Sequence, residues 1–166
     1  MDSRVLLLAS ALFISADAAG ARQVRSAFLI SKSENKNLVH SAVPVDDGCM
    51  PAGDAPVEPY WRMLERSTSA TEPLLAREHR VYGVGRQQVA GSHVTIALQA
   101  LPSRPITITT ARDGSGACTA SAVIAINQRP ARLFNIHVAL SPFGVSYLLV
   151  TGWADDGSIV RERVSP

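Results

Sequence analysis

The sequence predicts a mainly β protein, an antiparallel meander forming a barrel or a sandwich, with one short helix. Two observations support this prediction. Apolar and polar residues alternate along most of the chain after Phe28, and turn signals recur about every ten residues from Val94 onward. Alternation of period two is the pattern of a half-buried strand, and evenly spaced turns are typical of barrels and sandwiches.

The first predicted hairpin joins the β-like runs FLI and LVHSAV through the polar segment SKSENKN, residues 31–37. Ser and Asn favour turns through local side-chain to backbone hydrogen bonds, so a plain hairpin loop is one interpretation. The other is a polar recognition edge at the mouth of a barrel, since binding residues concentrate on loops. Its residues would be Lys32, Asn35, Lys36 and Asn37.

One segment has helical spacing. In TEPLLAREHRVYG, Thr71 is a plausible N-cap, Pro73 suits a first turn, and apolar residues follow at helical intervals until Gly83. We expect a helix of about three turns here. The preceding YWRMLE, residues 60–65, has a period that favours neither strand nor helix.

The C-terminal part alternates strands with turns. In VTIALQAL, Val94, Ile96 and Leu98 share one face. In ARLFNIHVAL, the same alternation predicts that Phe134 and Ile136 share a face. The Asp-Gly steps of RDGSG and ADDGS supply the positive φ angles that tight hairpins need. The predicted strands are VTIALQAL, ITITTA, CTASAVIAI, ARLFNIHVAL, VSYLLVTGW and IVRERV, and the turns between them are PSRP, RDGSG, NQRP, SPFG and ADDGS.

The N-terminus predicts export. Residues 1–18 contain one basic residue, Arg4, an apolar core from Val5 to Ile14, and a small-residue ending of the A-x-A kind. An apolar core of about ten residues is too short to cross a bilayer as a helix. We therefore expect a signal peptide over 1–18 and a single β-rich domain over 19–166, without a transmembrane segment, in the periplasm or outside the cell.

Charge argues against a nucleic-acid partner. The mature chain would carry 15 basic and 12 acidic residues, a net charge of +3, with its Lys and Arg spread along the sequence. Proteins that follow a phosphate backbone normally cluster their basic residues. The expected partner is instead a small apolar ligand or a protein of the cell envelope.

Two cysteines, Cys49 and Cys118, would enter an oxidising compartment. The compartment favours a disulfide, whereas sequence does not show whether the two Cα atoms come within the roughly 7 Å that a bridge requires. A Cys49–Cys118 bridge and two separate thiols both remain open.

Catalytic motifs are absent from the sequence. The four histidines lie outside the spacings that place two imidazoles on one metal, and no phosphate loop or nucleophile elbow occurs. The acidic pairs at 46–47 and 155–156 each precede a glycine, which turn formation explains. The sequence predicts no cofactor and no metal site, and it does not favour an enzyme.

A binding role has more support. Tyr60, Trp61 and Arg62 place two amphipathic rings beside a guanidinium, a composition typical of recognition surfaces. His79 belongs to the mixed-charge segment REHR, which would add a rim to such a surface. In the opposing interpretation, Trp61 faces the core, because a chain with few aromatics needs its large side chains inside. The candidate binding residues are Asn37, Tyr60, Trp61, Arg62 and His79.

The order of several segments resembles the bacterial domain-of-unknown-function family 4833. The segments are FLISKSENKNLVHSAV, APVEPYWRMLE, LLAREHRVYGV, PARLFNIHVAL and VRERV, and they span Phe28 to Val164. One departure is Ser41, where the family often has Tyr. The resemblance implies an exported bacterial protein and implies no activity.

Two hypotheses follow from different functional classes. The first is an exported binding or envelope-associated β domain. The alternative is a small hydrolase or metal-dependent enzyme with a site built from dispersed His and Asp residues.

Overall fold

The computed structural model describes residues 23–65 and 70–166, so the expected signal peptide over 1–18 lies outside the described residues. These residues form one curled, mixed and largely antiparallel sheet, a half-barrel, with one short helix. The mainly β prediction is confirmed. The elements are β1 (Gln23–Lys32), β2 (Leu38–Val45), β3 (Glu58–Arg62), β4 (Thr71–Pro73), α1 (Ala76–Tyr82), β5 (Val84–Ala90), β6 (His93–Leu98), β7 (Leu101–Arg112), β8 (Cys118–Ile126), β9 (Arg129–Ser141), β10 (Gly144–Trp153) and β11 (Ile159–Val164).

The long strand β9 organises the sheet. Its first half pairs with β8 and its second half with β1, and this last pairing is parallel. From β1 the order continues through β2 and β3 to β4, and from β8 through β7 and β6 to β5. The opposite edge of β9 pairs with β10, which pairs with β11. The meander therefore holds within each half of the sheet, and the parallel β1–β9 ladder joins the halves.

One continuous apolar core lies on the inner side of the curled sheet. Alternate residues of the central strands are fully buried there. Burying one such branched side chain stabilises a fold by about 1.5–3 kcal/mol. The largest are Ile30, Ile96, Leu98, Leu101, Ile106, Ile108, Ile124, Ile126, Leu133, Ile136 and Leu148.

A side-chain amide links strand β5 to the segment before β3. Gln87 Nε2 donates to the carbonyl of Val57 at 2.9 Å, and Gln87 Oε1 accepts from the amide of Val57 at 2.8 Å. The amide thus satisfies both backbone groups of Val57, as a neighbouring strand would.

The predicted helix is shorter than expected at its start. Residues Thr71–Pro73 form β4, whose backbone pairs with β3, so Thr71 is not the N-cap. The helix spans Ala76–Tyr82, and the carboxylate of Glu78 accepts the backbone N–H of Leu75 at 2.8 Å. The ambiguous YWRMLE segment contributes its first residues to β3.

Two strand boundaries differ from the prediction. β6 ends at Leu98, and β7 begins at Leu101 after a turn of two residues, so the expected PSRP turn lies inside β7. Registered pairing of β7 lapses between Leu101 and Ile106 on the β6 side and begins at Thr107 on the β8 side. Proline lacks a backbone N–H and is tolerated where no ladder bond is required.

A bulge in β9 changes which residues face the core. Leu133 pairs with Gly152 and Asn135 with Thr151, which leaves Phe134 as an extra residue. The predicted shared face of Phe134 and Ile136 is therefore wrong, because a bulge shifts the alternation. A Cβ on Gly152 would lie 2.7 Å from the carbonyl oxygen of Arg132, so this close approach requires glycine.

Cys49 and Cys118 form a disulfide, with their Cα atoms 5.3 Å apart. The bridge joins the connection after β2 to the first residue of β8, and Arg112 donates to the nearby carbonyl of Asp47. A disulfide is compatible with an exported protein.

Within the described residues, no helix is long and apolar enough to span a bilayer.

Candidate functional site

A cleft of about 370 Å³ opens where the β1–β2 turn, β3 and the start of α1 meet. That volume lies in the range of small-molecule sites. Segments far apart in sequence supply its walls, so the fold assembles the cleft from several elements. The lining residues are Lys32, Asn35, Asn37, Trp61, Met63, Glu72, Pro73, Leu75 and Glu78.

Trp61 is the largest aromatic of the cleft and also belongs to the core. Its side chain is 6% exposed, and its ring meets Tyr82 edge-on with centroids 5.1 Å apart. Its Nε1 donates to Glu78 Oε2 at 2.8 Å, and the ammonium of Lys32 lies 5.2 Å from the ring centroid. The indole is therefore held in one orientation. The expectation that Trp61 faces the core agrees with its burial. The ring also forms part of the cleft wall.

Glu78 ties the helix to the sheet. Its Oε2 accepts from both the Trp61 indole and the Leu75 amide, each at 2.8 Å. Oε1 has no hydrogen-bond partner among the residues that the structure describes. One oxygen of this carboxylate is thus structural, and the other is available to a ligand.

Asn35 and Asn37 are fixed by the turn that carries them. Asn35 Oδ1 accepts the backbone N–H of Asn37 at 3.1 Å, and Asn37 Oδ1 accepts the backbone N–H of Glu65 at 3.2 Å. Each oxygen thus accepts one hydrogen bond, and neither Nδ2 group donates to a described residue. Asn37 is 6% exposed, so its amino group is a preorganised donor at the cleft.

The polar segment after β1 is a turn between strands and also a wall of the cleft. Lys32, Asn35 and Asn37 line the cleft, whereas Lys36 is exposed and points elsewhere. The backbone amide of Lys36 donates to Glu65 Oε1 at 3.2 Å. Three of the four residues expected to form a recognition edge therefore lie together.

Tyr60 and Arg62 lie on the other side of β3 from Trp61. Tyr60 stacks on His40 with ring centroids 5.5 Å apart, on the side of the sheet away from the core. Burial, and secondarily the charge of Arg62, lowers the pKa of His40. Tyr60 lines a second hollow, of about 460 Å³, with the prolines Pro44 and Pro59.

His79 is exposed and lines a third hollow with Leu74 and Gln87. Of the five candidate binding residues, the structure brings Asn37 and Trp61 together. It separates them from Tyr60, Arg62 and His79.

Tyr82 adds a buried phenol behind the cleft. Its side chain is 4% exposed, and burial raises its pKa to about 12, with help from the carboxylates of Glu34 and Glu78. A neutral phenol therefore supports the Trp61 ring throughout the physiological range.

Sequence reasoning missed the role of Glu78. The signal was present, because Glu three residues after a helix boundary commonly accepts the boundary amide. The predicted boundary at Thr71 hides this signal, because the helix boundary is Leu75. Sequence reasoning also missed three further lining residues, Met63, Glu72 and Leu75. Their position at the cleft depends on the pairing of β4 with β3.

Among residues 23–65 and 70–166, no group of three or more His, Cys, Asp or Glu side chains is placed to hold a metal ion. A serine–histidine contact does occur, between Ser31 Oγ and His137 Nδ1 at 3.2 Å, on the side of the sheet away from the core. Asn135 Nδ2 contacts the same hydroxyl at 3.1 Å. These residues do not line the cleft.

Comparison with curated proteins and with solved structures finds no match. A family model for a domain of unknown function, DUF4833, matches residues 28–163, most of the chain. This match confirms the resemblance carried by the segments between Phe28 and Val164. Ser41, the departure from the family pattern, is fully buried, and its Oγ has no hydrogen-bond partner among the described residues. The chain belongs to the DUF4833 family.

Proposed function

We propose that this protein is an exported binding domain whose cleft takes a neutral, hydroxyl-rich ligand of mono- or disaccharide size. Asn37 is the observation that carries the proposal. Asn37 is 6% exposed and its Oδ1 accepts the backbone N–H of Glu65, while its amino group makes no hydrogen bond to a described residue and the side chain lines the cleft. A polar group held rigid at a cleft is the arrangement that binding sites use to fix a ligand's orientation.

The other walls support this ligand class. The Lys32 ammonium also contacts Glu34 Oε2 at 3.4 Å and keeps further N–H groups to donate. The Asn35 amide can donate as well, and Glu78 Oε1 can accept. Met63, Leu75 and the Trp61 ring supply apolar surface against which the carbon face of a sugar would pack. Because the cleft combines donors, acceptors and apolar groups, a hydroxyl-rich ligand fits it better than the small apolar ligand expected from sequence.

Export is supported by two independent features. Residues 1–18 have the pattern of a signal peptide, and Cys49 and Cys118 form a bridge. Disulfides persist mainly in oxidising compartments. We therefore place the binding domain in the periplasm or outside the cell, where an envelope-derived or external sugar would be its ligand.

The test is a fluorescence titration of a variant with one tryptophan. The chain has two tryptophans, and Trp153 is not part of the cleft, so Trp153→Phe leaves Trp61 as the reporter. The probes are cellobiose, maltose and chitobiose, added to protein purified from the periplasm or medium. We expect a saturable change in Trp61 emission with at least one probe. We also expect the intact mass of the purified protein to equal that of a chain whose first residue is Ala19.

Two substitutions in this background locate the binding. Asn37→Asp keeps the acceptor for the Glu65 amide but removes the Nδ2 donor, and Lys32→Ala removes the ammonium. Each should weaken binding by about tenfold, the effect of losing one hydrogen bond to a buried or charged group. Lys36→Ala is the matched control, because Lys36 lies in the same turn outside the cleft. Equal binding by all three variants, or no saturable change with any probe, would refute the proposal.

A further inference from the structure

A second surface, separate from the cleft, lies on the outer side of β9, β10 and β11. We call it the basic-aromatic face, and its residues are Arg132, Phe134, Tyr147, Trp153, Arg161 and Arg163. Trp153 is paired with Arg132 on one neighbouring strand and with Ile159 on the other. Residues directly opposite in an antiparallel pair point to the same side, and every second residue along β11 repeats that side. The three arginines and Trp153 therefore share one face.

The aromatic rings of this face are held in position. Trp153 is 39% exposed, and it packs against Phe134 with centroids 4.2 Å apart, while the Arg132 guanidinium lies 5.7 Å from the Trp153 ring. Arg163 lies 3.9 Å from the ring of Tyr147. A guanidinium stacked on a ring keeps its N–H edge available for an anion.

The charge of the face is uncompensated. Arg132, Arg161 and Arg163 are exposed, and none of their guanidinium groups forms an ion pair with a residue in the described part of the chain. Glu162, the acid of β11, lies between Arg161 and Arg163 in sequence and so points to the opposite side. There it binds Arg104 through two contacts of 2.6 Å. The face therefore carries three arginines that form no ion pair with a described carboxylate, although the net charge of the whole chain is only +2.

We propose that the basic-aromatic face binds an acidic polysaccharide through sugar carboxylates. Guanidinium groups bind carboxylates in a two-bond fork, and exposed aromatic rings pack against the apolar faces of sugar rings. Tyr147 and Trp153 are six residues apart along β10, which corresponds to roughly 20 Å of strand. That length matches several sugar units in an extended chain.

Charge complementarity selects this partner over two others. A nucleic acid normally requires many clustered cations, whereas this face offers three. A membrane surface favours aromatic side chains that project and insert, whereas Trp153 is packed between Phe134 and Arg132. Phe143, fully exposed in the β9–β10 hairpin, is the residue that would favour a membrane, so vesicles are included in the test.

The experiment is calorimetric titration of the full mature protein with tetragalacturonate, with its methyl ester as the uncharged probe. We expect saturable binding of the acid, weaker binding at higher ionic strength and little binding of the ester. Arg161→Gln with Arg163→Gln should weaken binding by about tenfold or more, since two charge-assisted contacts are lost. Trp153→Ala should weaken it as well. Arg77→Gln with Arg80→Gln is the matched control, because it removes two exposed arginines from α1.

Several outcomes would overturn the proposal. They are no binding of tetragalacturonate, equal binding of acid and ester, and equal losses in the β11 and α1 double variants. Stronger binding to vesicles of phosphatidylglycerol, lost on Phe143→Ala, would assign the face to a membrane, and stronger binding to single-stranded DNA would assign it to nucleic acid. Lys32→Ala should leave tetragalacturonate binding intact, so this test can fail without affecting the cleft proposal.

Discussion

The chain's two tryptophans have similar neighbours but differ in burial and in structural role. Each has an aromatic neighbour and a cation near its ring: Trp61 has Tyr82 and Lys32, and Trp153 has Phe134 and Arg132. Trp61 is 6% exposed and donates its indole N–H to Glu78, whereas Trp153 is 39% exposed. The immediate neighbours therefore do not determine whether a tryptophan serves the core or the surface.

Position in the sheet accounts for the difference. Trp61 lies on β3 between β2 and β4, on the inner side, and α1 covers it through Glu78 and Tyr82. Trp153 is the last residue of β10 and lies on the outer side, where side chains of β9 flank it. One ring is a structural element that also lines a cleft, and the other is a surface platform.

The largest expected effect is on stability. Trp61→Ala should lower the free energy of unfolding by about 3–5 kcal/mol, the cost of truncating a buried aromatic, whereas Trp153→Ala should cost about 1 kcal/mol or less. Urea denaturation followed by far-UV circular dichroism measures both. Trp61→Phe and Trp153→Phe are the matched controls, and each should recover part of the corresponding loss. Equal losses for the two alanine variants would contradict the assignment of the rings to different roles.

An intermediate effect is expected at alkaline pH. The pKa of Tyr82 is raised to about 12, so the folded state holds the phenolic proton more tightly than the unfolded state, whose pKa is near 10. The contribution of Tyr82 to the free energy of unfolding is fully present below pH 10 and is lost as pH rises through the folded pKa. The loss amounts to about 2 kcal/mol by pH 12. Denaturant titrations between pH 9 and 12 measure it.

The substitutions Tyr82→Phe and Tyr147→Phe separate the two regions. Tyr82→Phe should make the alkaline loss of stability smaller than in the natural sequence, because the titrating group behind Trp61 is gone. Tyr147→Phe removes a phenol from the basic-aromatic face and serves as the matched control. An unchanged alkaline slope in Tyr82→Phe would show that other groups cause the loss.

Sequence predicted the class of the fold because alternation is a local property. The strands that it placed from Val94 onward occur with shifted ends, since the bulge at Phe134 and the turn after Leu98 arise from pairing with distant strands. It also suggested that Asn37 and Trp61 belong to a binding surface. Their proximity depends on β2 pairing with β3, and the separation of Tyr60 depends on the side of β3 that faces the core. Neither was encoded in the local pattern.

The smallest expected effect concerns the support of the basic-aromatic face. Glu162 accepts two hydrogen bonds from Arg104 and one from the backbone N–H of Asn127. These bonds connect β11 to β7 and to the turn between β8 and β9. These bonds, first the one from Arg104, lower the pKa of Glu162. The contribution of Glu162 to stability is therefore present above the ordinary glutamate pKa of 4.5 and is lost as pH falls through the lower folded pKa.

Glu162→Gln should lower the free energy of unfolding by up to about 1 kcal/mol at neutral pH, because the pair is partly exposed and solvent weakens it. It should also make the free energy of unfolding decrease less steeply as the pH falls. Urea denaturation at neutral pH and below pH 4 measures both effects. Glu65→Gln, at an exposed acid that accepts the backbone N–H of Lys36, is the matched control, and its loss at neutral pH should be smaller than that of Glu162→Gln. A loss as large as that of Trp61→Ala would mean that β11 is integrated into the core. The outer face would then be as structural as the inner one, and the contrast between the two tryptophans would disappear.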